Sequence, residues 1–232
     1  MYVDPHFIMT TTIPAEEPVL ARLLAIIKPH DTFMDVGAYV GTYSIPIARM
    51  HNGKVSVIAF EPTPQSAFLL RKHLAYNHVR ENVRIEELAC SDFTGSAYFN
   101  LRQSGLDCHP SSENRLCLEK SKPSDDEDRF IEIDVVTIDD YIARNNVEPD
   151  YIKIDVEGAE LQVLRGARNL LRVHRPVVFC ELHRFNWDKF DASESDLRDL
   201  LAEVEYEIND VTTGKAMQEL PMHCNVILLP VG

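Results

Sequence analysis

The chain has 232 residues, and 45% of them are apolar, which is enough to bury one substantial hydrophobic core in a single domain. Its 23 basic and 37 acidic residues give a net charge of −14, which argues against a nucleic-acid partner, because binding to a polyanion depends on Lys and Arg contacts to phosphates. Five cysteines without C-x-x-C spacing indicate neither a disulfide framework nor a thiolate zinc site, and they favour a reducing compartment.

The first residues show no basic region followed by an apolar one, so we expect no secretory signal. The longest apolar stretch, Val19 to Ile27, contains Arg22 and is too short to span a bilayer. Apolar residues at helical spacing predict a helix over Glu16 to Lys28, in an N-terminal segment (1–30) that covers the first strand. These features predict a soluble, cytoplasmic protein without a membrane span.

A nucleotide-type site is predicted from two early strands. The stretch from Phe33 onward is typical of a strand that passes Asp35 and turns through Gly37 and Gly41 into a helix. A glycine after a parallel strand lets the backbone turn sharply and approach a ligand. About twenty residues on, an apolar run ends in Glu61, whose carboxylate can accept hydrogen bonds from both hydroxyls of a ribose. This order of elements predicts an adenosine pocket.

Tyr39 decides which adenosine cofactor we favour. It stands where a dinucleotide motif, G-x-G-x-x-G, has its second glycine, and its side chain would crowd a pyrophosphate lying on the turn. S-adenosylmethionine has a ribose but no phosphate, so it fits better. A nicotinamide-dependent oxidoreductase is the alternative.

A third strand is predicted over Val83 to Ala89, with Cys90, Ser91 and Asp92 at its end. In an open α/β sheet this end contacts the ligand, and Asp92 is placed to bind the adenine amino group. Two extra strands, Ser96 to Leu101 and Phe130 to Val136, are expected to pair as a small β-hairpin.

The segment between these extra strands, 102–129, lacks periodicity and is predicted to be a long insertion loop, either a lid that contributes to acceptor choice or disordered. Cys108, His109 and Cys117 lie in it, but their spacing matches no standard metal site.

The rest of the chain continues the alternation of helices and strands. We predict helices that begin at Thr63-Pro64, at the capping box Thr137 to Asp140, over Glu160 to Leu171 and after Ser193, and strands over Tyr151 to Asp155, Val177 to His183, Tyr206 to Val211 and Cys224 to Leu229, the last two antiparallel.

From about Thr32 to His183 the chain resembles the FkbM family of S-adenosylmethionine-dependent methyltransferases. The matching pieces are Asp35-Val-Gly-Ala38, Phe60-Glu61-Pro62, Val136-Thr-Ile-Asp-Asp140, Lys153-Ile-Asp-Val-Glu-Gly-Ala-Glu160, Val163-Leu-Arg-Gly-Ala167, and Arg175-Pro176 with Glu181 and His183. The resemblance implies the Rossmann-like class I methyltransferase fold, a three-layer α/β sandwich whose seven-stranded, mostly parallel sheet has its last strand antiparallel. It also implies O-methylation of a sugar, lipid or secondary metabolite. Tyr39 stands where the family usually has Asn.

Two groups of residues follow as candidates for the site. The expected cofactor-binding residues are Asp35, Gly37, Ala38, Tyr39, Gly41, Glu61, Pro62, Cys90, Ser91, Asp92 and Asp155. The expected catalytic residues are Asp155, Glu157, Glu181 and His183, which come from the ends of two strands that the class I order makes neighbours.

The catalytic group has two hypothetical roles. We favour a metal-free mechanism in which His183 is the general base, with a pKa that neighbouring carboxylates bring near neutrality. Alternatively, Asp155, Glu181 and His183 bind a divalent metal such as Mg²⁺ or Mn²⁺, which holds the acceptor. A methyltransferase-like protein that binds the cofactor without turnover is the non-enzymatic alternative.

Overall fold

The computed structural model describes residues 18–101, 115–117 and 129–232 of the chain. The strands are β1 (Thr32–Val36), β2 (Ser56–Phe60), β3 (Val83–Glu86), β4 (Ala89–Cys90), β5 (Gly95–Leu101), β6 (Arg115–Cys117), β7 (Arg129–Val136), β8 (Tyr151–Ile154), β9 (Val177–His183), β10 (Tyr206–Asp210) and β11 (His223–Pro230). The α-helices are α1 (Pro18–Ile26), α2 (Ser44–Ala48), α3 (Pro64–Tyr76), α4 (Ile138–Asn145), α5 (Glu160–Arg165), α6 (Arg168–Val173) and α7 (Glu194–Glu203). No helix among these is long and apolar enough to cross a membrane.

The main sheet has seven strands in the order β3-β2-β1-β8-β9-β11-β10. Strands β3, β2, β1, β8 and β9 pair in parallel, and β11 lies antiparallel between β9 and β10. The predicted class I methyltransferase sheet is therefore confirmed, including its antiparallel last strand.

Helices cover both faces of this sheet because its strands carry apolar side chains in both directions. On β1, Met34 and Val36 pack with α4, α5, α6 and α7, while Phe33 packs with α1, α2 and α3 on the other face. The carboxyl ends of the parallel strands stay uncovered, and that edge carries the site.

A second sheet has the order β4-β7-β5-β6. The predicted pairing of 96–101 with 130–136 is confirmed by the antiparallel register of β5 and β7. The hairpin is extended by β4, which runs parallel to β7, and by β6. The prediction of a loop throughout 102–129 is wrong at β6; residues 102–114 and 118–128, and with them Cys108 and His109, lie outside the described residues, as does the Cys117 side chain.

Two predicted elements have bounds that differ from the prediction. The third strand stops at Glu86, and Ala89–Cys90 joins the second sheet as β4. The helix predicted over Glu160 to Leu171 is divided into α5 and α6 at Gly166, where a Cβ would lie 2.0 Å from the Ser91 carbonyl oxygen. The Asp139 carboxylate then accepts backbone N–H bonds from residues 169 and 170, both at 2.9 Å, and so starts α6.

Candidate active site

A cavity opens at the carboxyl ends of β1, β2 and β8. Its walls combine a glycine turn, apolar side chains and a few charged groups. The lining residues are Val36, Gly37, Ala38, Tyr39, Thr42, Tyr43, Phe60, Glu61, Pro62, Ser66, Leu88, Ala89, Cys90, Phe99, Lys153, Asp155, Val156, Glu157 and Ala159.

The turn after β1 forms the floor of the cavity. Gly37 has φ +84°, and a Cβ there would lie 1.9 Å from the Asp155 carbonyl oxygen, so the close approach of the two strand ends requires glycine. The backbone N–H groups of Gly37 and Ala38 both donate to the Phe60 carbonyl, at 3.1 and 2.9 Å. Gly41, also predicted for the site, lies outside the cavity lining and packs beside Leu70.

Glu61 lines the cavity and is 6% exposed. Its Oε2 accepts the Tyr39 N–H at 2.9 Å, and its Oε1 accepts the Thr63 N–H at 2.9 Å and the Thr63 hydroxyl at 2.5 Å. Burial raises the pKa of Glu61 to about 7, although these hydrogen bonds oppose the rise. A carboxylate offers about four acceptor sites, so one remains for a ligand. The Thr63 hydroxyl, predicted as the N-cap of α3, turns to Glu61 instead and makes no capping bond.

Tyr39 adopts a left-handed backbone conformation, with φ +50°. Asn and Gly enter this region more readily than Tyr. The conformation aims the Tyr39 N–H at Glu61 and so connects the turn to the end of β2.

Three charged side chains meet at the centre of the sheet. Asp35 on β1 and Lys153 on β8 are register partners, and Lys153 Nζ donates to Asp155 Oδ2 at 2.9 Å while lying 4.3 Å from the Tyr43 ring centroid. Burial opposes ionisation of Asp155, but Lys153, together with His183 and His223, more than offsets this and holds its pKa below the ordinary value. Burial raises the pKa of Asp35 despite Lys153 and the Ser44 hydroxyl, which donates to Asp35 Oδ2 at 2.6 Å.

Asp35 is fully buried and does not line the cavity. Its Oδ1 has no hydrogen-bond partner within the described part of the chain. Asp35 thus acts on the site through its neighbours rather than by direct contact.

The predicted catalytic residues come together at the rim of the cavity. His183 Nε2 faces three carboxylates, with Oε2 of Glu157 at 3.7 Å, Oε1 of Glu181 at 3.8 Å and Oδ1 of Asp155 at 4.0 Å. Asp155 and Glu157 line the cavity, while Glu181 and His183 lie behind them on β9. The class I strand order therefore makes these residues neighbours, as the sequence predicted.

His183 is held by a residue outside the predicted set. Its Nδ1 lies 3.0 Å from Oε1 of the fully buried Glu160, which also accepts the Gly158 N–H at 2.8 Å and Trp187 Nε1–H at 2.8 Å. Burial works against the imidazolium, but Glu160 and the other carboxylates more than offset it and raise the pKa of His183 to about 9. This shift goes beyond the expected pKa near neutrality, which disfavours His183 as the general base.

Glu157 follows β8 in a left-handed conformation with φ +57°. Strained backbone of this kind is concentrated at functional sites. Burial raises the pKa of Glu157 to about 7, against the lowering effect of His183. Beyond its approach to His183, no residue in 18–101 or 129–232 makes a hydrogen bond to the Glu157 carboxylate.

The predicted adenine contact is not placed as expected. Cys90 lines the cavity, but Ser91 is buried outside it and Asp92 is exposed to solvent. The reason is that β3 ends at Glu86, so the chain has already entered the second sheet at these positions. The wall there is apolar instead, formed by Leu88, Ala89 and Phe99.

Sequence reasoning missed His223, Glu160 and Lys153 as parts of the site. His223 is the register partner of His183 across β9 and β11, its ring stacks on His183 at 4.9 Å, and its Nε2 lies 2.7 Å from Glu181 Oε1. Lys153 was detectable as a charge within an apolar strand, and Glu160 as part of the same motif. His223 had no signal, because strand register is not visible in a single sequence.

Comparisons with known proteins point to one group of enzymes. A sequence profile of the Methyltransferase FkbM domain matches residues 35–208. The chain is 26% identical over 164 residues to Methyltransferase sdnD of Sordaria araneosa and 28% identical over 164 residues to the Hexuronic acid methyltransferase AglP of Haloferax volcanii. These matches cover 62% and 68% of this chain, and the chain spans 62% and 58% of the length of the two relatives.

The fold has a matching neighbour among solved structures. The crystal structure of Methyltransferase FkbM from Methylobacillus flagellatus KT aligns with a TM-score of 0.54 at 18% identity, covering 88% of this chain and 45% of that chain. At this level of identity the similarity concerns the fold alone.

Proposed function

The chain belongs to the FkbM methyltransferase family, and we propose that it transfers the methyl group of S-adenosylmethionine to a hydroxyl of a small-molecule acceptor. One observation supports this proposal most directly: two regions of different chemical character line the same cavity. One region has a glycine turn and the buried Glu61, and the other has the acidic pair Asp155 and Glu157. The first suits an adenosine group and the second suits a cation.

The residues around Glu61 can bind the ribose of S-adenosylmethionine. Glu61 has one acceptor site left after the bonds from Tyr39 and Thr63, and this site can take one ribose hydroxyl. A bond to the second hydroxyl requires the Tyr39 N–H or the Thr63 hydroxyl to release its oxygen. The apolar wall around Leu88 and Phe99 suits the adenine ring.

The other end of the cavity fits a positive charge. When bound, S-adenosylmethionine supplies an electrophilic methyl group on a sulfonium. Asp155 is kept ionised by Lys153, and Glu157 lies next to it, so these carboxylates favour a cation in the cavity. Lys153 also lines the cavity, but its ammonium group is bound to Asp155 and lies over the Tyr43 ring.

We assign the hydroxyl proton to Glu157. Asp155 is bound to Lys153, Glu181 is paired with His223, and His183 is bound to Glu160 through Nδ1. Within the described residues, the Glu157 carboxylate is the member of this group without such a bond, and it faces the cavity. The acceptor hydroxyl would lie between Glu157 and the cofactor, where alignment of oxygen and methyl group supplies much of the rate.

The acceptor class is proposed from the family and from the name of one relative. The relative AglP is named as a methyltransferase of hexuronic acid, a sugar derivative. We propose a hydroxyl of a sugar, lipid or secondary metabolite as the acceptor here.

Two measurements test this function. Calorimetry should detect binding of S-adenosylmethionine and S-adenosylhomocysteine, with NAD binding far more weakly. Transfer of a labelled methyl group to a panel of sugars, lipids and hydroxylated metabolites should then identify the acceptor. Tighter binding of NAD would replace the proposed class by an oxidoreductase, and cofactor binding without transfer to any hydroxyl compound in the native metabolite pool would favour a non-catalytic protein.

A further inference from the structure

Asp155, Glu157, Glu160 and Glu181 form an acidic cluster around His183. This cluster contains a second set of groups that the proposed methyl transfer does not use. His183 on β9 and His223 on β11 are register partners, and Glu181 lies two residues before His183 on the same side of β9. One ligand atom from each of these three residues lies within 4.8 Å of the others. The topology thus brings two imidazoles and a carboxylate to one point at the rim of the cavity.

We propose that His183, His223 and Glu181 bind a divalent metal cation of the class that takes mixed nitrogen and oxygen ligands, such as Zn²⁺ or Mn²⁺. Two imidazoles and one carboxylate are a ligand set that leaves positions open for a substrate. Metal–ligand bonds of about 2.1 Å place neighbouring ligand atoms about 3.0–3.5 Å apart. His223 Nε2 and His183 Nε2 lie 2.7 and 3.8 Å from Glu181 Oε1, so small side-chain shifts are sufficient.

The orientation of His183 is the independent observation that points to an ion. His183 is 5% exposed, and its Nδ1 is bound to Glu160, which is fully buried and fixed by the Trp187 indole N–H and a backbone N–H. A buried carboxylate on the far nitrogen is the usual support of a metal-binding histidine, because it fixes the ring and its tautomer. The Nε2 atom of His183 faces the carboxylates of the cluster. Among the described residues the nearest of these carboxylates lies at 3.7 Å, which is beyond hydrogen-bond distance.

Charge balance points the same way. Asp155, Glu157, Glu160 and Glu181 lie around Lys153, His183 and His223, so four carboxyl groups face three basic groups before any ligand is bound. Asp155 and Glu157 together with His183 form a second group of three possible ligands that shares the same imidazole. An ion at His183 would reduce the repulsion among these acids.

The place of the ion gives it a role that rests on the proposed function. It would lie beside Glu157, on the side of the cavity where the acceptor hydroxyl is expected. There the ion would bind the acceptor oxygen and lower the pKa of the hydroxyl, while Glu157 receives the proton.

The experiment measures metal directly, on the full chain and without cofactor or acceptor. Protein freed of metal by chelator and dialysis is titrated with Zn²⁺, Mn²⁺ or Mg²⁺ by calorimetry, and retained metal is counted after desalting. His223→Ala and Glu181→Gln are compared with His174→Ala, which removes an exposed histidine that lies 3.8 Å from Glu148 and precedes β9, whereas the cluster lies at the other end of that strand. His223 is itself 53% exposed in its side chain, so its removal is compatible with folding, and unfolding curves verify this.

We expect the wild type and His174→Ala to bind one more equivalent of Zn²⁺ than His223→Ala. Glu181→Gln should bind this additional equivalent at least tenfold more weakly than the wild type. Mg²⁺ should bind much more weakly, because it prefers oxygen ligands. Bound Co²⁺ should give a visible absorption spectrum in the wild type that His223→Ala loses. Equal stoichiometry and affinity in the wild type, His223→Ala and Glu181→Gln would overturn the site and leave a network of ion pairs.

These experiments distinguish a failure of the metal site from a failure of the proposed function. If S-adenosylmethionine binds to metal-free protein but neither variant changes metal binding, the metal inference is wrong and the methyltransferase proposal stands. If metal binding depends on His223 and Glu181 but S-adenosylmethionine does not bind, the metal site stands and the methyltransferase proposal is wrong.

Discussion

Lys153 Nζ lies 2.9 Å from Asp155 Oδ2 with only 4% of the lysine side chain exposed, and Asp35 occupies the paired position on the neighbouring strand. One buried ammonium therefore compensates two carboxylates at the centre of the sheet. Removing one partner of such a group leaves a buried charge without compensation, which costs about 3–5 kcal/mol.

Lys153→Met should accordingly lower the free energy of unfolding by about 3–5 kcal/mol at pH 8. The loss should become smaller as the pH is lowered to 5, because Asp35, whose pKa is raised above its ordinary value, takes up a proton more readily than a free carboxyl group. Urea unfolding at both values measures the effect. Asp35→Asn added to Lys153→Met should recover part of the loss at pH 8; an unchanged loss in the double variant would contradict this pairing.

Glu61→Gln should weaken binding of S-adenosylmethionine by about 1.5–3 kcal/mol, the usual effect of losing a charged hydrogen-bond acceptor. The amide of Gln also presents an NH₂ group to the donors Tyr39 N–H or Thr63 N–H, which disturbs the turn. Calorimetry provides the measurement, with Glu87→Gln, an exposed acid paired with Arg71, as the control. Wild-type affinity in a folded Glu61→Gln protein would remove Glu61 from the ribose site.

The stability of the ligand-free protein should fall between about pH 4.5 and 7 because of Glu61. Its pKa is raised to about 7 in the folded state, so the protonated form is favoured by folding; the contribution is complete below the ordinary value of 4.5 and disappears as the pH rises through 7. Glu61→Gln should therefore show a shallower decline of unfolding free energy over this interval. Parallel pH profiles for the two proteins would show that Glu61 is not the group responsible.

The apolar wall, rather than Asp92, should hold the adenine. Asp92 is exposed outside the cavity, whereas Phe99 lines it and is 8% exposed. Asp92→Asn should leave the cofactor dissociation constant unchanged within about twofold, while Phe99→Ser should raise it at least tenfold in protein that remains folded. A larger effect at Asp92 than at Phe99 would restore the hypothesis drawn from the sequence.

Glu157→Gln should reduce methyl transfer by about 10²–10⁴-fold, the usual contribution of a positioned acid–base group. Cofactor affinity should change far less, because the ribose and adenine contacts lie elsewhere. Single-turnover transfer to the identified acceptor measures the rate, and Glu148→Gln, whose side chain is 77% exposed, is the matched control. Near-normal transfer by Glu157→Gln would move the proton acceptor to another group.

The sequence by itself determined the α/β class, the strand order implied by the family resemblance, and the convergence of Asp155, Glu157, Glu181 and His183. These follow from local patterns, because residues at the carboxyl ends of parallel strands meet at one edge once the strand order is known. Glu61 was placed at the cavity for the same reason.

Only the tertiary structure decided how those groups are paired. The contact with Glu160 and the neighbouring carboxylates raise the pKa of His183 against the opposing effect of burial, and no local pattern contains that information. The register of β11 on β9 brings His223 beside His183, although forty residues separate the two in the chain, because strand pairing is set by long-range packing. The early end of β3 likewise moved Asp92 out of the cavity, since the second sheet takes over the chain at Ala89.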